Sequence, residues 1–103
     1  LQRVLNRFEL AGEIVERQAL RLTPAGVAVL ALTLTHQSSQ MEANAKRELS
    51  LEVQAVGLGA IAERLQLLEL ATPFLFSGFI ANKTRSVRSL IFHITDFKEF
   101  TKD

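Results

Sequence analysis

Only one stretch of this chain repeats at a helical period, and segments that alternate at period two surround it. In residues 60–70, Ile61, Leu65 and Leu68 recur at helical spacing, with Glu63, Arg64 and Glu69 on the other side. Gly57 and Gly59 precede this segment and are expected to stop a strand. Thr72-Pro73 ends it, because the residue before a proline disfavours the α region. Residues 4–16 put Phe8, Leu10, Gly12 and Ile14 on one face and Arg7, Glu9 and Glu13 on the other. Residues 27–36 set Leu30, Leu32 and Leu34 against Val29, Thr33 and Thr35. Residues 48–56 set Leu49, Leu51, Val53 and Ala55 against Glu48, Ser50, Glu52 and Gln54. Residues 74–81 and 90–97 read as two further strands before a short polar tail. Alternation of this kind marks half-buried strands.

The order strand-strand-strand-helix-strand-strand is that of an all-β, five-stranded OB-fold barrel with one short helix between strands 3 and 4. An α+β sandwich competes with it but gives no reason for the helix to fall at that point. At 103 residues the chain is expected to form a single domain, residues 1–103. Gly12, in the middle of a long first strand, predicts a bend or bulge. Thr23-Pro24-Ala25-Gly26 predicts a turn, with Pro24 presetting φ and Gly26 free to take positive φ. Residues 36–47 are polar and read as a loop, or equally as a long disordered hairpin tip.

Charge is placed rather than abundant. The chain has 12 basic and 11 acidic residues, a formal net charge of +1, so nucleic-acid affinity has to come from a local patch. Residues 70–95 contain no acidic residue. Their polar turn, Asn82-Lys83-Thr84-Arg85-Ser86-Val87-Arg88-Ser89, lies between two apolar runs and reads as a hairpin with a cationic tip. Arg17 and Arg21 are assigned to the first loop, and Lys46 and Arg47 to the end of the second. In such a barrel these loops rim one groove, across strands 2 and 3, where cations track phosphates and aromatic faces stack on bases. The plainer reading of each cation is a solubilised loop tip, which the three cations of the last hairpin together make less economical.

The aromatic half of that chemistry is thin. All seven aromatics are phenylalanines, and none lies between Phe8 and Phe74. Phe74, Phe76 and Phe92 are expected in the core. Phe79 stands on the opposite parity and is expected to face outward, unless a bulge at Gly78 resets the register. There it can stack on a base or pack in a subunit interface, the interface being favoured. Residues 27–34, 74–80 and 90–97 are apolar on both faces, and a second copy of the chain is the simplest cover, giving a homodimer.

Catalysis is rejected. His36 and His93 have no metal-ligand spacing, Gly57-Leu58-Gly59 lacks the rest of a phosphate loop, and there is no cysteine. No cofactor and no metal are expected. The longest apolar run, residues 27–34, is far short of the ~18–20 residues of a membrane span. Absence of cysteine suits a reducing compartment, and cytoplasmic localisation is expected. Leu1 reads as a cloning or truncation start, with no signal-peptide pattern before the fold.

Asn6-Arg7, Leu10, Gly12, Thr23-Pro24-Ala25-Gly26, His36-Gln37-Ser38, Gly78-Phe79-Ile80 and His93 together carry a resemblance. The chain resembles the primosomal replication protein N (PriB) family, dimeric OB-fold relatives of single-stranded-DNA-binding protein. The resemblance implies binding of single-stranded DNA during restart of stalled replication forks. It also implies partnership with the PriA helicase and, in some bacteria, a later loader, DnaT. By position, Arg21 matches the family's first-loop cation, and Lys83 and Arg85 match lysines of the final hairpin. Gln37 stands where a basic residue is expected, and Ser50 where relatives carry tryptophan. Binding is then expected either to be weaker or to lean on Arg47, Arg85 and Arg88 instead. The alternative function is an adaptor whose basic hairpin grips an acidic patch on a helicase or loader, with little DNA affinity. An RNA-binding OB domain ranks third.

Overall fold

The computed structural model describes residues 3–101; Leu1 and the end of the polar tail lie outside the described residues. The strands are β1 (Phe8–Arg17), β2 (Arg21–Leu22), β3 (Ala28–Glu42), β4 (Ala45–Leu58), β5 (Pro73–Asn82) and β6 (Leu90–Glu99). A single helix, α1 (Ala60–Leu65), falls between β4 and β5. Sheet order is β1-β5-β6-β4-β3-β2, and β1 pairs with β3 as well as with β5. Five long strands therefore close into a barrel, with the two-residue β2 attached beside β3. This is the OB-fold expected from the element order. Every neighbouring pair is antiparallel except β4 and β6, which run parallel through Ala55↔Phe92 and Val56↔His93.

Alternation decides what fills the interior. Leu30, Leu32 and Leu34 of β3 point inward beside Ile14, Ala55, Phe76, Phe92 and Ile94. Phe8 meets Phe92 edge-on at 4.8 Å between ring centres. The helix closes one end of the barrel with Ala62 and Leu65, both buried. Phe74, Phe76 and Phe92 are core residues, as their parity suggested.

The helix is shorter than its apolar spacing suggested. It ends at Leu65, and the chain tightens through Leu67 N–H to Arg64 O and Leu68 N–H to Leu65 O, both 3.2 Å. The Arg17 guanidinium donates to the freed carbonyl of Leu65 at 3.0 Å and also to that of Leu68. A cation on the last carbonyls of a helix satisfies acceptors that the helix cannot. Leu68 still packs against the core, from a turn rather than from a helix.

Residues 36–47 are not a loop. The β3–β4 ladder continues without a break to Glu42↔Ala45, and only Ala43 and Asn44 turn the chain, at φ 52° and 62°. Positive φ at both central residues is what a two-residue hairpin turn of primed type needs. The polar run is thus a β-ribbon, an arm extending past the barrel with water on both faces, so no core imposes apolar alternation on it.

Glycine supplies close approach at two places. At Gly12 a side chain would overlap the carbonyl oxygen of Thr35, where β1 crosses from β5 to β3. The bulge expected at Gly12 lies slightly further on, between Ile14 and Glu16. At Gly78 the β5–β6 register does shift: Ser77 faces Asp96 and Gly78 faces Ile94, leaving Thr95 as the extra residue. A Cβ on Gly78 would overlap the His93 carbonyl oxygen and sit 3.1 Å from Thr95 N. These neighbours are backbone and cannot swing aside. Gly78→Ala is therefore expected to cost about 3 kcal/mol, at the upper end of overpacking. Thermal unfolding should show a midpoint lowered by more than ~10 °C; an unchanged midpoint would refute the close approach.

Candidate nucleic-acid interface

Strand register places the candidate cations along the barrel. Arg21 faces Val29, which in turn faces Leu58, at the end of the barrel where α1 sits. From there β3 runs to Glu42, roughly 40 Å of strand at ~3.3 Å per residue. Lys46 and Arg47 lie at that distant tip, opposite Met41 and Gln40. Continuing the parallel β4–β6 register brings Leu90 level with Val53, so residues 83–89 leave the sheet beside the base of the arm. The structure thus groups Lys83, Arg85 and Arg88 with the arm that carries Lys46 and Arg47. Arg21 stands at the opposite end, and Arg17 is occupied by the helix carbonyls.

The two cationic groups differ electrostatically. On the arm, Arg47 Nε lies 2.5 Å from Glu42 Oε1, and Lys46 Nζ lies 3.5 Å from Glu48 Oε1. Lys83, Arg85 and Arg88 have no ion-pair partner among the described residues, and all three are exposed. Their loop is shaped by its own hydrogen bonds. Lys83 N–H donates to Ser89 O at 2.8 Å, and Val87 N–H to Thr84 Oγ1 at 2.9 Å. Three cations without an ion-pair partner among the described residues thus stand on one short, internally bonded loop and make its surface locally positive.

The outer face of β3 and β4 is different. Gln37 and Ser50 face each other directly across the ladder. Together with Ser38, Ser39, Glu48 and Leu49 they line a shallow groove. Further toward the helix, Glu13, Thr35 and Glu52 form one cross-strand row, and Glu16, Thr33 and Gln54 the next. Lys46 and Arg47 are consecutive in β4, so alternation turns them to opposite faces of the ribbon. The outer face consequently carries carboxylates, hydroxyls and amides, and only Lys46 among the candidate cations.

Phe79 faces outward as its parity predicted; it is 38% exposed and stacks on His93, ring centres 4.9 Å apart and 6° from parallel. Val56 lies beside His93 in the neighbouring strand, so the row sets an aliphatic side chain, an imidazole and a phenyl ring side by side. His36 is structural. Its Nδ1 donates to Ala11 O at 2.6 Å while its Nε2 accepts from Ser38 Oγ at 2.7 Å, tying β1 to the base of the arm. Asn6 was quoted above only for resemblance. Its amide pairs with the Ile80 backbone, donating to the carbonyl at 2.8 Å and accepting from the N–H at 3.2 Å.

A family model described as another single-strand binding protein family matches residues 6–96. Replication restart protein PriB of Nitrosomonas europaea is 31% identical over 91 residues, covering 88% of this chain and 84% of that protein. PriB of Bordetella pertussis is 39% identical over 77 residues, covering 75% and 72%. This chain belongs to the PriB family. The solved structure of PriB from Ralstonia solanacearum superposes with a TM-score of 0.85 at 32% identity, covering 95% of this chain and 100% of that one. The family-model match, from residue 6 to residue 96, takes in the barrel, the arm and the cationic loop.

The arm's turn lends itself to a direct check, since Ala43 holds a positive φ that costs an ordinary side chain ~1 kcal/mol. Replacing Ala43-Asn44 by Asn-Gly is expected to raise amide-exchange protection across Met41–Lys46 by about fivefold. Because the arm stands outside the core, the global unfolding midpoint should hardly move. Unchanged protection at those amides would refute the two-residue turn.

Proposed function

We propose that this chain is a non-catalytic, single-stranded-DNA-binding accessory of replication restart, acting in the cytoplasm as a homodimer beside the PriA helicase. The observation that carries the reading is the loop with Lys83, Arg85 and Arg88, unpaired among the described residues, at the base of the arm of a PriB-family barrel. Phosphates of a flexible strand neutralise these cations and release counterions, which makes binding sequence-blind and strongly salt-dependent. With Ser50 and Gln37 on the outer face, base stacking there contributes nothing. The strand forgoes the ~1–3 kcal/mol per base that an aromatic platform supplies. Arg21, at the far end, serves as an outlying phosphate contact for a longer strand.

Fluorescence anisotropy with a labelled oligothymidine tests this reading. Lys83→Ala, Arg85→Ala and Arg88→Ala together should weaken binding by about tenfold or more, at ~0.5–1 kcal/mol per exposed charge contact. The slope of log affinity against log salt should flatten by about 2, and the loss should be equal for oligonucleotides of different sequence. Wild-type affinity in the triple variant would overturn the assignment.

The homodimer is supported by Phe79, an exposed aromatic stacked on His93 in one row with Val56, whose ring gains from cover by a second copy. Light scattering after size exclusion should give twice the chain mass, and Phe79→Glu should return the monomer. A Phe79→Glu variant that stays dimeric would exclude this row as the interface.

A second reading is favoured by the carboxylate rows of the outer face: an adaptor that uses its basic loop on an acidic patch of PriA, or of a loader such as DnaT. Binding to PriA and to the oligonucleotide at matched salt separates the two. An adaptor holds the helicase and ignores the oligonucleotide.

A further inference from the structure

The arm carries two cations at its tip, toward the same end of the barrel as the cationic loop, and each is already occupied. Arg47 and Glu42 form a diagonal pair across the ribbon at 2.5 Å. Lys46 and Glu48 share one strand face at 3.5 Å, and Glu48 is held in turn by the Ser39 hydroxyl from the opposite strand at 2.9 Å. A phosphate that approaches either cation must displace a carboxylate tethered beside it, and the displaced carboxylate stays close enough to repel the phosphate. Such an exchange of one anion for another brings little net gain. The loop cations meet no such competitor among the described residues.

We infer that Glu42 and Glu48 set the DNA affinity of this chain by holding Lys46 and Arg47 away from phosphate. The inference rests on the proposed binding of single-stranded DNA at this end of the barrel. The strand is gripped by Lys83, Arg85 and Arg88, while the arm remains a weak contact that salt or a competing strand readily displaces. The glutamates, rather than further cations, are then the residues whose loss strengthens binding.

Anisotropy with a labelled oligothymidine at low salt, using the whole chain, tests this. Glu42→Gln with Glu48→Gln keeps side-chain size and leaves Ser39 an acceptor while freeing both cations. The double variant should bind about three- to tenfold more tightly than wild type, since exposed pairs hold ~0.2–1 kcal/mol each. Its salt dependence should steepen by about 1.4, two cations at ~0.7 each. Adding Lys46→Ala and Arg47→Ala should abolish the gain. Glu52→Gln removes a charge from the same strand without freeing a cation, and should change affinity by less than about twofold.

An unchanged affinity in Glu42→Gln/Glu48→Gln would overturn the inference. So would a gain that survives loss of Lys46 and Arg47, or an equal gain from Glu52→Gln, either of which reduces the effect to general repulsion. A tight wild-type complex with no gain in the double variant removes this inference alone. Failure of the wild-type protein to bind any oligonucleotide removes the proposed function and this inference together.

Discussion

Membership of β1 in two ladders at once is the constraint on which the rest of the molecule depends. Its first half pairs with β5, from Phe8↔Gly78 to Glu13↔Pro73, and its second half with β3, from Glu13↔Thr35 to Arg17↔Leu32. Only a strand that bends sharply can serve both, and the bulge between Ile14 and Glu16 with the bare backbone of Gly12 permits it. The bend turns an open sheet into an enclosed interior. Phe76, Phe92 and Leu34 owe their complete burial to it. It also delivers Arg17 to the helix end, so one strand both closes the wall and fastens the plug.

Closure leaves the ends and the outer surface to carry function. The inner face is fully committed to aliphatic and aromatic side chains, and no charged residue is buried among the described residues. Charge is therefore sorted by position along the barrel rather than by depth. Carboxylates of β1 and β4 flank the threonines of β3 on the outer face, cations without an ion-pair partner among the described residues cluster where β5 turns into β6, and paired ones occupy the arm. A polyanion meets attraction at one end and repulsion along the wall.

The residues announce the fold wherever one side of a strand meets the core. Leu30, Leu32 and Leu34, or Phe74 and Phe76, state their alternation plainly, and the change of period at Ala60 marks the helix. Residues 36–47 carry no such signature, because a ribbon in water needs no apolar face; only the Ala-Asn turn betrays it. Leu68 has helical spacing but reaches the core from a turn, because Arg17 takes the carbonyls that a longer helix would bond internally. That partnership spans 48 residues of sequence and leaves no local pattern. For the site, the presence of Lys83, Arg85 and Arg88 on one loop was legible. The neutralisation of Arg47 by Glu42 was not, because it exists only in one particular hairpin register.

Asn6 covers an exposed stretch of the β5 edge. Beyond Gly78 the β1 side of β5 has no strand beside it among the described residues, and a bare row of amides is an open seam onto which another chain can zip. The Asn6 amide occupies the midpoint of that seam at Ile80, imitating a strand with a single side chain. One side chain thus stoppers this stretch of edge against the addition of a further strand.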